Sequence, residues 1–474
     1  MKEYRIIQGG MGAGVSDWRL AKTVGENGEI GVVSGTAMDV ILARRLEDGD
    51  KDGNMRRALA AFPVKSIADR IIKDFYVEGG KPADKPYKQL PMYTIEPNRE
   101  LVELTVAANF VEVFLAKEGH ENPIGINLLT KVVLPNLASL YGAMLAGVDY
   151  VIMGAGIPRE VPGILDKFSA GEEARFKLQV EGADKDEEYS VKFNPKEIMG
   201  EYLTELKRPK FYAIVSSNIL ATTMVKKTKP PVDGLVVEHH SAGGHNAPPR
   251  AGMNLDENGE PIYGPKDECV IDKLKNLGVP YWLAGSWGEA GKLKEAISLG
   301  AQGIQVGTLF ALCKESGFLE SVKKSIIEKL PDVFTDPKAS PTGFPFKVVK
   351  LPGSLSDIEE YLKRPRLCNL GYLRHIYKKA DGSIGYRCPA EPAESFISKG
   401  GDEAELEGRK CLCNALVANI GLSGVYKNGY VEQTLITAGD TLKKVKDFLK
   451  DGADSISVAE VIEQLLLEVK GEKC

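Results

Sequence analysis

The sequence predicts an α/β chain built on a (β/α)8 barrel. Eight short apolar runs, each ending near Gly, Ser, Asn or Glu, recur between Arg5 and Thr308. Continuous apolar runs of this length suit parallel strands buried on both faces. Helical patterns separate several of them, and strand–helix alternation eight times over is the count of such a barrel. The composition, 43% hydrophobic and 27% charged, supplies enough apolar material for a large core.

The runs are Arg5–Gly9 (RIIQG), Ile30–Ser34 (IGVVS), Ile124–Leu128 (IGINL) and Tyr150–Gly154 (YVIMG), followed by Phe211–Ser216 (FYAIVS), Gly234–Glu238 (GLVVE), Tyr281–Gly285 (YWLAG) and Gly303–Thr308 (GIQVGT). Helical segments precede the fourth run (Ser139–Ala146) and the eighth (Gly288–Leu299, with Leu293, Ala296 and Ile297 on one face). Two charged insertions, about 36–122 and about 167–210, interrupt the repeat and are expected on the rim, where long loops cover or shape a site. Asp39–Leu46 and Ile67–Phe75 read as charged helices in the first insertion. Asp48–Asn54 there resembles the start of a calcium loop, but its twelfth position is Leu59 and not a bidentate Glu, so it reads as a solvated turn. The barrel is expected over residues 1–330 and a C-terminal extension over 331–474. The competing architecture is a doubly wound open sheet. Gly10, Gly12 and Gly14 lack the G-x-G-x-x-G spacing, and the second run ends Val33-Ser34-Gly35 without an acidic residue.

Of the 474 residues, 61 are Lys or Arg and 66 Asp or Glu, a net charge of −5 that lacks the basic footprint of a nucleic-acid binder. No apolar run reaches the length of a membrane span. Met1–Arg5 carries no apolar signal core, so a cytoplasmic location is expected, and the odd count of seven cysteines points to reduced thiols or a metal and away from a disulfide framework.

In a barrel of this kind, chemistry gathers at the carboxyl ends of the strands, and phosphate binds after the seventh and eighth. The loops there are Ala284-Gly285-Ser286-Trp287-Gly288 and Val306-Gly307-Thr308. Gly lets backbone N–H groups approach phosphate oxygens, and Ser or Thr adds a donor. The sixth run ends in Glu238-His239-His240-Ser241-Ala242-Gly243-Gly244-His245, which holds three of the five histidines. Gly243-Gly244 suits close backbone approach to a flat ligand better than a metal cage. His245, after the glycine pair, is the candidate general base or hydrogen-bonding group. Strand alternation places His239 and His240 on opposite faces, so at most one shares the site.

These pieces resemble the nitronate monooxygenase family, formerly the 2-nitropropane dioxygenases. The matching segments are Gln8-Gly-Gly-Met11-Gly12, Gly125-Ile-Asn127, Val215-Ser216-Ser217, Ser241-Ala-Gly-Gly-His245, Ala284-Gly285-Ser286 and Gly300 to Phe310, over about residues 5–330. The family consists of FMN-dependent (β/α)8 TIM barrels related to FMN-dependent enoyl-ACP reductases. The resemblance implies an FMN phosphate at Gly285, Ser286, Gly307 and Thr308, and a flavin ring against Gly10, Met11 and Gly12. Asn127 would reach the ring's polar edge, Gln305 and Gly244 would flank it, and Ser216 and Gly243 complete the implied cofactor contacts. His245 matches the family's active-site histidine. The implied reaction is oxidation of an alkyl nitronate by O2 to a carbonyl compound and nitrite. The alternative is an NAD(P)H-using enoyl-ACP or quinone reductase on the same flavin. Ser241 where the family often has Glu, Ser286-Trp287 where it often has Gly-Ile, and His240 and Asn246–Arg250 depart from the family pattern around the substrate.

Beyond Pro331–Pro365, rich in Pro and Gly, four cysteines gather: Cys368, Cys388, Cys411 and Cys413. Four thiolates could hold zinc or an iron–sulfur cluster, but one C-x-C and no C-x-x-C favours reduced thiols packed as small apolar groups. A further reading has this segment closing over the barrel mouth with Cys411 or Cys413 near the substrate. Cys313 is expected to pack at a helix start, and Cys269 and Cys474 carry no visible role. The apolar stripe Val458, Ile462, Leu465, Leu466, Val469 docks a terminal helix on this domain or on a second subunit of a homo-oligomer.

Overall fold

The structure is a computed structural model and describes residues 3–426, 428–450 and 453–470. Eight parallel strands form the centre: β1 (Ile6–Gln8), β2 (Gly31–Ser34), β3 (Ile124–Leu129), β4 (Tyr150–Gly154), β5 (Lys210–Val215), β6 (Gly234–Glu238), β7 (Tyr281–Ala284) and β8 (Gly303–Val306). Hydrogen bonding links them in the order β1-β8-β7-β6-β5-β4-β3-β2. The sheet closes on itself, because Ile7 bridges Ile30 in parallel, Gln8 N–H donates to Ile30 O at 3.0 Å and Ile30 N–H to Ile6 O at 3.1 Å. The chain is thus the (β/α)8 barrel that its apolar runs predict.

Strand alternation sorts the side chains. Ile7, Ile30, Val32, Ile152, Val236 and Ala284 fill the barrel interior, and the residues between them face the helices. At the amino ends of their strands, Tyr150 and Tyr212 pack ring to ring at 5.0 Å, and Tyr212 meets Trp282 at 4.9 Å. These aromatics plug the bottom and leave space at the carboxyl mouth.

The first insertion does more than stand on the rim. Its helix Arg99–Lys117 is buried along most of its length and packs against Trp18–Glu26, Met38–Glu47 and Asn136–Leu145, so it supplies the barrel's own helix between β2 and β3. The turn at Asp48–Asn54 is solvated only in part, since Lys51 and Asp52 are exposed. Asp50 is buried and caps the following helix, accepting from Met55 N–H and Arg56 N–H, each at 3.0 Å, while Leu59 lies in the core. The second insertion folds into an antiparallel hairpin, Ala174–Leu178 with Tyr189–Phe193. Its inward side chains, Phe176, Val191 and Phe193 among them, join the core beside Tyr141 and Phe168.

The C-terminal third returns to the barrel mouth. Its strands β9 (Val333–Asp336) and β10 (Phe346–Val349) pair antiparallel, and β10 also pairs with Gly244–His245, in the register Phe346 to His245 and Lys347 to Gly244. The terminal helix, Val458–Lys470, buries Val458, Val461, Ile462 and Leu465 against Trp18–Glu26 and Lys292–Ser298. Its stripe is therefore covered by this chain's own barrel. Cys313 is buried at the start of the segment after β8, its Sγ–H donating to Leu309 O, and Cys474 lies outside the described residues. Among the described residues no helix is long and apolar enough to cross a membrane.

Candidate functional site

Parallel strands bring all their following loops to one end. A single cavity there is lined by Gly10, Met11 and Gly12 after β1, by Asn127 of β3, and by Gly243, Gly244 and His245 after β6. Gly285 and Ser286 after β7, Gln305 of β8, and Gly307 and Thr308 after it complete that side. Ser216 is not among them. It lines a smaller neighbouring cavity with His239, His240, Asn246, Arg250, Tyr263 and Asp267. Glu238, the last residue of β6, lines both.

The cavity floor is set by local bonding. Ser16 Oγ accepts from Met11 N–H at 2.9 Å and donates to Gly9 O at 3.0 Å, and Gln8 Nε2 donates to Ser16 Oγ at 2.8 Å. Gln8 Oε1 in turn accepts from Val32 N–H at 3.0 Å, so a buried amide ties the loop to β2. Gly10 is required here: a Cβ would stand 2.2 Å from Asn127 Cβ. After β7 the backbone turns through two left-handed residues, Gly285 (φ 80°) and Ser286 (φ 56°). A serine held in that region costs on the order of 1 kcal/mol, and such strain clusters at ligand clamps. Gln305 Oε1 is buried with no hydrogen-bond partner among the described residues, an acceptor left open at the cavity.

His245 sits on the short strand paired with β10. Its Nε2 shares a hydrogen bond with Ser340 Oγ at 2.8 Å, and its ring meets Phe346 edge-on at 4.7 Å. Burial, helped by the Lys131 ammonium, holds its pKa well below 6.5, so the imidazole is neutral at pH 7. Lys131 itself is pushed down to about 7 by burial, and its Nζ stands 3.1 Å above the Phe344 ring. Glu238 is shifted the other way. Burial alone raises its carboxyl to about 7. His239 and His240 do not point apart, because regular strand geometry ends at Glu238. Their rings pack at 3.9 Å, and His240 stacks on Tyr263 at 4.1 Å. Both face the smaller cavity.

A wall of the main cavity comes from a region with no strand-end signature. Phe346, Asn419, Thr437, Ala438, Gly439 and Thr441 line it. The small-residue run Thr437-Ala438-Gly439-Asp440-Thr441 is the sequence trace of this wall. Gly439 N–H donates to Thr308 Oγ1 at 2.9 Å, Asp440 N–H to Ser241 O at 3.0 Å, and the Lys347 ammonium pairs with Asp440 at 2.6 Å. The segment closes on the mouth, but not through Cys411 or Cys413, neither of which lines the cavity. Those two thiols pack with Cys388, Ala390 and Cys368 in a separate cluster. Burial raises the Cys411 and Cys413 thiols, while a hydrogen bond from Cys388 lowers Cys368. Among the described residues no group of three or more His, Cys, Asp or Glu is placed to hold a metal ion.

Gly243 lies against this wall, and a Cβ there would stand 2.5 Å from the Ala438 carbonyl carbon. Gly243→Ala is therefore expected to push Ala438–Gly439 outward, break the Gly439–Thr308 bond and weaken retention of the flavin that the sequence resemblance implies by roughly tenfold, one lost hydrogen bond's worth. Flavin release on gel filtration, read by absorbance, measures this; unchanged retention would mean the wall yields freely.

The nitronate monooxygenase family model matches residues 167–338. A probable nitronate monooxygenase of Bacillus subtilis (strain 168) is 33% identical over 97 residues, which cover 20% of this chain and 26% of that relative. The match thus spans about a quarter of the relative's length. FabK from Thermotoga maritima aligns over 99% of this chain and 93% of its own at 15% identity and a TM-score of 0.49. The nitroalkane oxidase of Streptomyces ansochromogenes aligns over 99% and 96% at 14% identity and a TM-score of 0.49. From its second insertion through β9, the chain is similar to the nitronate monooxygenase family.

Proposed function

We propose that the main cavity holds FMN and that the chain is an oxidoreductase, oxidising alkyl nitronates with O2 to a carbonyl compound and nitrite. The observation that carries this reading is one cavity wall in which the turns Gly285-Ser286 and Gly307-Thr308 stand with His245 and the open Gln305 amide oxygen. The residues fit the cofactor. Small turns with hydroxyls suit a phosphate, a buried acceptor at Gln305 suits a ring N–H, and Gly10 lets the Asn127 side chain pack against the loop that forms the cavity floor. Gly12, Gly243 and Gly244 line the same space, and Ser216 would act only from the adjoining cavity. FMN, when bound, supplies the redox chemistry and the reaction with O2.

The chain's own residues bind and orient. A nitronate is an anion, so it selects the tautomer in which Ser340 Oγ–H donates to His245 Nε2 and Nδ1 carries the proton. Nδ1–H is then a neutral donor toward the nitro oxygens, in a site where low dielectric strengthens the bond. The Thr437–Thr441 wall and Phe346 exclude water from that face.

The test is anaerobic mixing of the FMN-loaded protein with a nitronate, NADH or NADPH. Nitronate is expected to bleach the flavin rapidly, and the pyridine nucleotides are not. Bleaching by NADH or NADPH alone would move the assignment to an NAD(P)H-using enoyl or quinone reductase, and a purified protein that neither carries nor takes up FMN would sink both.

A further inference from the structure

Glu238 stands where the two cavities meet, and its carboxyl makes no hydrogen bond or ion pair with any described residue, although β6 places it beside His245's loop. Glu238 is half-buried, so its carboxyl borders both cavities while no protein group engages it. Three elements surround it. Its own loop contributes His239, His240 and His245, the facing loop Arg250, Tyr263 and Asp267, and the adjoining strand ends only neutral Ser216 and Ala284. Asp267 accepts from Arg250 N–H and Gly264 N–H, so that carboxylate is engaged elsewhere.

His245 is poorly built to store a proton. One ring nitrogen is committed to Ser340, the ring is packed on Phe346, and the Lys131 ammonium opposes a second positive charge. Glu238 has the opposite environment: desolvation is the one influence that shifts its carboxyl, and it makes that anion a stronger base than an ordinary carboxylate.

We propose that Glu238 is a catalytic base of this site, taking the α-proton of a neutral nitroalkane, so that the chain accepts the carbon acid as well as its anion. The step balances without a co-reactant. The C–H bond breaks, its electron pair passes into the nitro group to give the nitronate, and the proton forms an O–H bond on Glu238. The second cavity, where His239 packs on His240 and His240 stacks on Tyr263, gives that proton a way out which does not cross the substrate. His245 keeps the task of binding the nitro oxygens. This assignment of substrate rests on the nitronate reading above.

The experiment uses the FMN-loaded full chain as wild type, E238Q and E238D, with 2-nitropropane and its nitronate as probes. The ratio of turnover on 2-nitropropane to turnover on the nitronate is expected to fall about a hundredfold in E238Q, the usual worth of a general base, and to recover in part in E238D. The second readout needs no turnover. Infrared difference titration between about pH 5 and pH 9 is expected to show a protonated carboxyl band that titrates near neutrality, is absent in E238Q and persists in E238D. A ratio in E238Q within about threefold of wild type, or a neutral-titrating band that survives E238Q, overturns the proposal. A wild-type protein that holds FMN but oxidises neither probe sinks the nitronate reading, and the infrared titration then decides by itself whether Glu238 holds the proton.

Discussion

His245→Ala is expected to lower turnover on nitronate by about 10²- to 10³-fold while FMN stays bound, the typical loss when one preorganised donor to a developing charge is removed. The imidazole is held in one orientation by the Ser340 bond and the Phe346 edge, so its donor is in place before substrate arrives. The loss should therefore fall on kcat more than on cofactor retention, which steady-state kinetics beside flavin absorbance would separate. The pH dependence has a defined sign. The pKa of His245 lies well below 6.5, so the neutral donor persists as pH falls through 6.5, and nitronate turnover should show no histidine-like decline there. A wild-type profile that drops with an apparent pKa near 6.5, and loses that drop in the alanine variant, would contradict the neutral role.

The largest stability effect is expected at Glu432. Its two carboxylate oxygens accept from Arg364 Nε at 2.7 Å and Nη2 at 2.8 Å, and Tyr426 O–H donates to it at 3.0 Å. The Arg364 side chain is only 4% exposed and that of Glu432 fully buried. Removing one member of such a pair leaves a buried charge unmatched, at a cost of about 3–5 kcal/mol. Glu432→Ala should lower the unfolding free energy measured in urea by that amount, and Arg364→Met with Glu432→Leu together should recover much of it. The pair anchors the strand-like segment that leads into Thr437–Thr441, so the single variant should also release FMN more readily. A loss below about 1 kcal/mol would mean that water reaches the pair after the change.

The barrel was legible because its signal is local. Each strand is one apolar run, and β4 and β6 fall at the predicted bounds because nothing beyond the run decides where a buried parallel strand ends. Loop geometry is less legible. Period-two alternation places His239 and His240 on opposite faces, yet it applies only while the ladder continues, and the ladder stops at Glu238. The Asp48–Asn54 turn reads as solvated because its acidic residues look alike, whereas only the fold turns Asp50 inward onto the next helix. The Thr437–Thr441 wall leaves no local trace beyond its small residues. Its place depends on contacts to Thr308 and Ser241, far away along the chain. Glu238 stands in the strand-end motif without any distinguishing neighbour in sequence, since a carboxyl's value there depends on having no partner, which only packing decides.

The cavity takes its floor from Gly10 and its lip from Gly439, residues far apart along the chain. During synthesis at roughly 5–20 residues per second, the barrel strands leave the ribosome well before the segment that must lean on Thr308. A nascent chain can thus assemble its barrel strands while the cavity still stands open on one side. Closure of the cavity is therefore a late event in maturation, and a chain cut short before Thr437 would lack both that wall and the core residues Leu442, Val445, Val458 and Ile462 that pack on the barrel.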